Sequence, residues 1–442
     1  MRKRNLFFAL AAGMVMFSAC SNDDDFINEG NNNLNEEVQQ LVLQVASSGD
    51  GLQTRAGRPL YSAEAKQAIE NIKLLICDGS NTIVQDTLIT NWNSESDLYT
   101  DGGHGQKMTI MLQGRQKLQP GTYSIYAFGY SSDSEYTGTD GSTTIANLLK
   151  TYGNGVGTDG QTSADETVKT YNPQTSPLTL KTGHDEIFAG SVASLTIEAK
   201  KGINQPVVLH RQVAGAFAYV KDIPFIEGAA KLRLMATNKS TDLILDKFLT
   251  SELANNGNNA SSDVVNGYTA NASTSLQEVA KTDLSNWFNN VKDNNGVLDV
   301  NEWKANDNYE EGSVFLGDFI VPFKKNTAIT DAGATFILQL TDENDNVLRS
   351  WIVKLPANEK ATTVNYWNGT AWATESDQET VNHYSVMRNH LYGIGHKMAD
   401  EGTDGPDPEN PDPDKPESLN TKQELTLRVN DNWEVIHGME IE

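Results

Sequence analysis

Residues 69–89 read IENIKLLICDGSNTIVQDTLI. Two apolar runs flank Asp78-Gly79-Ser80-Asn81, residue types that favour a tight reversal, so the stretch is read as a β-hairpin. The same grammar, short strand-like runs between polar turns, extends in both directions. Upstream, LVLQV sets Leu41, Leu43 and Val45 on one parity, the spacing of a strand that buries one face. Downstream, KMTIMLQ alternates through Met108, Ile110 and Leu112, and PGTYSIYAFGY (120–130) carries aromatics on both parities, as a central strand covered on both faces does. Residues 131–175 are dominated by Ser, Thr, Gly and Asp and read as an exposed loop with one helical patch at Ile145–Leu149. SLTIEA (194–199) and VVLHRQVAGAFAYV (207–220) follow.

A second set of strand-like runs comprises AKLRLMA (230–236), SVFLGDFIVPF (313–323), ATFILQL (334–340) and VLRSWIVKLP (347–356), with DENDN (342–346) as a turn and VMRNHLYGIGHKM (386–398) as a closing strand. SLQEVAKTDLSNWFNNV (275–291) has helical spacing through Leu276, Val279, Leu284, Trp287, Phe288 and Val291, and is expected as a helix packed on a sheet. A chain of 442 residues exceeds one ordinary core. The expected fold is therefore mainly β, with two tandem β-sandwich domains at 56–205 and 206–398 and a few short helices.

The charge balance narrows the partners. With 34 Lys+Arg against 59 Asp+Glu, the net charge is −25, and no basic run occurs beyond the first four residues. Such a chain repels phosphate backbones, which argues against nucleic-acid binding. At the N-terminus, Arg2, Lys3 and Arg4 precede an apolar stretch, Leu6–Phe17, too short for a bilayer and suited to a signal peptide over residues 1–19. FSAC then resembles the lipobox of bacterial lipoprotein signals, which makes Cys20 the lipidated residue and the outer membrane a partner through that lipid. Phe17 stands where Leu is usual; the alternative is an ordinary signal peptide with a chance cysteine. SNDDDF, following Cys20, resembles acidic tracts that direct some lipoproteins to the outer face of the outer membrane. Acylated Cys20 would leave Cys77 without a disulfide partner, so Cys77 is read as a small buried hydrophobe.

No catalytic constellation emerges. The histidines at 104, 184, 210, 383, 390, 396 and 437 form no HExxH, and His390 and His396 sit about 20 Å apart along a straight strand. There is no GxSxG, no P-loop, and no GxGxxG opening a helix after a strand. GNGVGTDG (153–160) lies in a polar loop, and DENDN lacks the glycine and distal glutamate of a calcium loop. No metal, no cofactor and no enzymatic activity are expected.

The last residues of the sequence, WEVIHGMEIE (433–442), place Trp433, Val435, Met439 and Ile441 on one parity. They follow DGPDPENPDPDKPES (404–418), where five of the 13 prolines sit. A polyproline-like spacer over 402–420 reaches about 60 Å, enough to find a neighbour. One mechanism joins these features. The first strand, Leu41, Leu43 and Val45, completes the N-terminal sandwich; a trypsin-like protease cuts between Arg55 and Ala56; and the strand leaves with Cys20 and its lipid, residues 20–55 acting as tether and propeptide. The cleft so opened is filled by the last strand of another subunit, from the 399–442 segment. Arg58 precedes Pro59 and is the poorer site. LTLRV (425–429) is a second alternating run that docks as well. The alternatives are that the tail folds back on its own subunit or stays disordered.

On FSAC, LQTRAG, IKLLICDGSNTIV, LQPGTYSIYAFGY, DEIFAGS (185–191), LHRQVAGAFAYV and RNHLYGIGHKM (388–398), the chain resembles the Bacteroidetes fimbrillins, the shaft subunits of type V pili. The resemblance covers essentially the whole chain and rests on the order of motifs. It implies two transthyretin-like β-sandwiches, lipoprotein secretion, maturation by an Arg-specific protease, and donor-strand exchange with copies of itself and related fimbrial subunits in an adhesive fibre. Anchor and tip subunits tend to lack the cleavage site or the donor tail, and both are legible here. The competing class is a surface glycan-binding lipoprotein that stays monomeric and anchored.

Overall fold

The computed structural model describes residues 38–46, 69–90, 92, 97–98, 105–152, 169–173, 175–181, 183–245, 264–269, 276–285, 287–288, 312–325, 334–355, 363–376, 380–394, 396–397, 415–419 and 424–430. The chain is mainly β. Its first half contains β1 (Gln39–Ala46), β2 (Asn71–Asp78), β3 (Ile83–Thr90), β4 (Asp97–Leu98), β5 (Gly105–Met111), β6 (Gly121–Tyr130), helix α1 (Ile145–Lys150), β7 (Thr179–Lys181), β8 (Ile187–Ile197) and β9 (Ile203–Arg211). One sheet runs β3-β2-β6-β8-β9-β1-β5-β4. β2 and β3 form the expected hairpin; Asp78 Oδ1 accepts the Ser80 N–H at 2.8 Å and the Thr82 N–H at 2.9 Å, and Asn81 takes φ +62°.

The sheet folds over where β8 meets β9, because these strands pair only at Phe188–Arg211 and Ala189–His210. A Cβ on Gly190 would lie 1.9 Å from Val208 O, so only glycine lets β8 and β9 come this close. The fold-over lays β9 and β1 against β2, β6 and β8. Leu41, Leu43, Val207 and Leu209 meet Ile72, Leu74, Ile76, Ile125, Ala127 and Phe188 in one core. The other face of β2 and β6 carries Leu75, Cys77, Tyr126 and Phe128, covered by Tyr136, Ile145, Leu149 and Tyr171. The polar stretch 131–175 is therefore not merely an exposed loop. Its few apolar residues form a lid on the sheet, with Tyr171 edge-on to Tyr126 at 4.9 Å.

Cys77 is buried and free, and burial first, then the Asp78 charge, pushes its thiol up to about 12. Native protein at pH 8 is expected to leave Cys77 unalkylated by iodoacetamide over hours, with full labelling on unfolding, as read by peptide mass. Rapid native labelling would contradict the burial.

The second half contains β10 (Ala214–Lys221), β11 (Lys231–Ala236), β12 (Asp242–Ile244), β13 (Val264–Val265), β14 (Gly267–Tyr268), β15 (Gln277–Asp283), β16 (Ser313–Ile320), β17 (Phe336–Thr341), β18 (Val347–Lys354), β19 (Thr363–Trp367), β20 (Trp372–Ser376), β21 (Leu391–Ile394), β22 (His396–Lys397), β23 (Lys415–Ser418) and β24 (Glu424–Asn430). The main path is β15-β11-β17-β18-β24-β21-β10-β23-β22, with β16 also on β10. β24 stitches the β11-β17-β18 layer to the β21-β10-β16 layer. Between these layers lie Ala216, Ala218, Leu232, Leu234, Phe336, Leu338, Trp351 and Ile394. Smaller sheets β14-β12-β7 and β13-β19-β20 flank it, and the β7–β12 pairing joins the two halves.

One expectation changes, and two others meet the strands as follows. The helix over 275–291 is replaced at 277–283 by β15, antiparallel to β11, with Leu276 37% exposed where a helix face would bury it. Among the described residues, helical bonding remains beyond β15, where the Phe288 N–H donates to Leu284 O at 3.0 Å. The division at 205/206 falls inside β9; the chain changes sheets between Arg211 and Ala214. The tail also does not run free over its described residues. β23 pairs in parallel with β10, Leu419 is fully buried with its N–H donating to Lys221 O at 2.9 Å, and β24 lies in its own chain's sheet.

Candidate functional site: the cleft that holds the first strand

β1 is an interior strand. It runs antiparallel to β5 from Gln40–Met111 to Ala46–Gly105 and parallel to β9 from Gln39–Ile203 to Val45–Leu209. It is thus bonded along its whole length on both sides. Leu41 and Leu43 are fully buried, each contributing about 1.5–3 kcal/mol of gross burial. Met108 and Ile110 of β5 pack against the same core. Val45 holds its expected place in the register.

The head of the strand is fixed by a side chain that sequence reasoning missed. Gln39 is buried; its Nε2 donates to Leu118 O at 2.9 Å, and its Oε1 accepts the Leu118 N–H at 2.7 Å. The Leu112 N–H donates to Gln39 O, and the Ile203 N–H to Val38 O, both at 2.9 Å. Both ends of a buried amide are satisfied by one backbone position, which fixes the register to the residue. A lone glutamine ahead of an alternating run carries no such signal in sequence.

Two motifs of the resemblance meet at the end of β9. Arg211 Nε donates to Glu186 Oε1 at 2.7 Å with both side chains buried, and the guanidinium lies 4.8 Å over the Phe188 ring. Next to it the Gln212 N–H donates to Ile187 O at 2.8 Å and the Asn389 N–H to Val213 O at 2.9 Å. DEIFAGS, LHRQVAGAFAYV and RNHLYGIGHKM thus converge where the halves join. Across the same junction His184 Nδ1 lies 2.9 Å from Asp318 Oδ2; burial raises the Asp318 carboxyl above its ordinary range, against the opposing pull of His184. These are structural contacts that hold β9 in place beside β1.

Cys20, Arg55, Ala56, Trp433, Val435, Met439 and Ile441 lie outside the described residues. Arg55 falls in the connection between β1 and β2, and every other described strand follows it in sequence. Among the described residues, no three His, Cys, Asp or Glu side chains group to hold a metal ion. The described arrangement is a seat for a strand.

No protein-family model and no curated protein matches the chain. Among solved structures, the C-terminally truncated tip fimbrial protein Mfa3 of Porphyromonas gingivalis overlaps 89% of this chain and 98% of its own, at 9% identity and TM-score 0.37. The fimbrial anchor protein Mfa2 of Porphyromonas gingivalis overlaps 79% of this chain and 99% of its own, at 9% identity and TM-score 0.31. A fimbrial assembly protein of Parabacteroides distasonis overlaps 81% of this chain and 90% of its own, again at 9% identity and TM-score 0.31. The chain is similar in structure to these fimbrial proteins, but the overlays are loose, and the roles assigned below rest on its own strands.

Proposed function

We propose that the chain is a structural subunit of a cell-surface fimbrium that serves adhesion. It is exported as a lipoprotein precursor held by Cys20, cut after Arg55 by an Arg-specific protease, and polymerised when a C-terminal strand of one copy fills the cleft that β1 leaves in the next. The observation that carries this is the place of β1. It is bonded on both sides and buried in the core, yet it is the one described strand that a cut after Arg55 disconnects. Loss of such a strand leaves two unpaired edges, on β5 and β9, and the apolar pocket that held Leu41 and Leu43. Another strand of like pattern is the natural occupant.

The test is to treat purified precursor with an Arg-specific protease, sequence the new N-terminus, and run the product unboiled on a denaturing gel. A start at Ala56, loss of residues before it and a ladder of oligomers are expected. Arg55→Ala should abolish both release and ladder. A protein that stays intact and monomeric, lipid retained, would overturn the assignment.

A further inference from the structure

The two halves meet over a shared core with an acidic margin. Leu243, Leu245 and Val321 of the second half pack with Tyr136, Leu178 and Leu180 of the first. β7 and β12 pair across the seam, and Lys181 Nζ lies 2.6 Å from Asp242 Oδ1. Around Tyr136 stand Glu135, His184 and Asp185 from the first half and Asp318 from the second. His184 Nδ1 is 2.9 Å from Asp318 Oδ2, and Asp185 Oδ1 accepts the Glu135 N–H at 3.0 Å. Tyr136 is fully buried on Gly183, where a Cβ would come within 2.8 Å of its ring. Its hydroxyl has no side-chain partner among the described residues.

The charges of this cluster do not balance. The carboxyl groups of Glu135, Asp185 and Asp318 share one imidazole, His184, while Lys181 is engaged by Asp242. A cleft lined by His184, Lys239, Glu278 and Phe323 opens the cluster to solvent and brings one further charge of each sign. Burial raises the Asp185 carboxyl above its ordinary range, and the Glu135 charge adds to this, against hydrogen bonds from Ser134 and the Glu135 N–H. Burial raises Asp318 likewise, with Glu135 adding and His184 opposing. Burial, then the charges of Asp185, Asp318 and Glu135, holds the Tyr136 phenol well above its ordinary range, so it stays neutral. An acid with a raised native value binds its proton more tightly in the closed junction than in an open one. The stability it contributes is present at low pH and is lost as pH rises through the native value.

We propose that this junction is a proton-operated clasp: in mild acid the cluster of Glu135, His184, Asp185 and Asp318 takes up a proton and the halves close tightly, and above neutrality its negative charge loosens them. The position of Asp318 makes the effect one between halves, because the other two carboxylates lie across the seam from it. Phe319, next to Asp318, packs against the shared core, so repulsion at Asp318 pulls on the apolar contacts that join the halves. The β7–β12 pairing lies on the same seam and reports its opening. The clasp does not depend on where β1 goes, and its failure would leave the fimbrial assignment untouched.

The test follows backbone amide exchange by mass in the full-length precursor, in peptides spanning 178–181 and 242–245. Rates are taken at about pH 7.5 and about pH 5 and corrected for the intrinsic pH dependence of exchange. Protection in the wild type is expected to be about threefold or more greater in acid, relative to β2–β6 peptides as the reference. Asp185→Asn keeps the shape and removes the charge, so it should hold protection high at both pH values. Asp318→Asn should flatten the response in part, since it also alters the His184 contact. A junction that answers pH as fully in Asp185→Asn as in the wild type would overturn the proposal. So would a wild-type junction no better protected in acid than the reference strands. If Asp185→Asn fails to fold, the exposed Glu135→Gln carries the test: about half of the response should be lost, and an unchanged response would overturn the clasp equally.

Discussion

Arg211→Ala is expected to cost the precursor about 3–5 kcal/mol in denaturant unfolding, among the largest single-residue losses available in this chain. The substitution leaves the Glu186 carboxylate buried without the guanidinium that meets it at 2.7 Å, and removes the cation from the face of Phe188. Glu186→Ala should cost a similar amount for the converse reason. The double change Arg211→Met with Glu186→Leu should recover most of the loss, because the penalty comes from an uncompensated buried charge rather than from the net worth of the pair. Glu198→Ala, which breaks the exposed pair with Lys201, is the control and should move stability by under about 1 kcal/mol. A loss at Arg211 no larger than at Glu198 would mean that water reaches the pair.

That junction shows what local sequence reveals and what it hides. The hairpin at 71–90, the doubly buried β6 and the turn at DENDN follow from neighbours in sequence, and the structure places each as expected. Asp342 closes that last turn by accepting the N–H groups of Asn344 and Asn346. Glu186 and Arg211 are each an ordinary charged residue until the fold brings them together. The 275–291 segment misleads for a related reason. The helical spacing runs through residues that lie in two environments: β15, whose conformation is set by pairing with distant β11, and Leu284, Trp287 and Phe288, which close the core beyond it. Long-range pairing overrides local periodicity wherever a sheet offers an open edge.

The cleft was half legible. Alternation marks Leu41, Leu43 and Val45 as a strand, and Arg55, the proposed cleavage point, lies behind it in sequence. That β1 is interior to the sheet depends on β9, a strand more than 150 residues away in sequence, running parallel beside it. The hold on its head is also long-range, because the Gln39 side chain bonds Leu118, far along the chain. The tail likewise alternates in two places. The structure shows that the nearer run is a strand paired with β18 and β21 of its own chain.

Leu43→Ala has the second large expectation, and its size depends on the state of the chain. In the precursor it opens a cavity in the core beneath β1 and should cost about 2–5 kcal/mol. After cleavage, the same loss falls on the noncovalent hold of β1, so at about 1.4 kcal/mol per tenfold the released segment should leave at least tenfold faster, as followed by mass. Once it has left, the altered residue is gone, and oligomers from mutant and wild-type precursor should unfold identically. Leu209→Ala, whose side chain lines the same core from β9, should instead weaken precursor and oligomer alike. If oligomers made from Leu43→Ala precursor retain the deficit, β1 remains in the assembled protein and the cleft is never vacated.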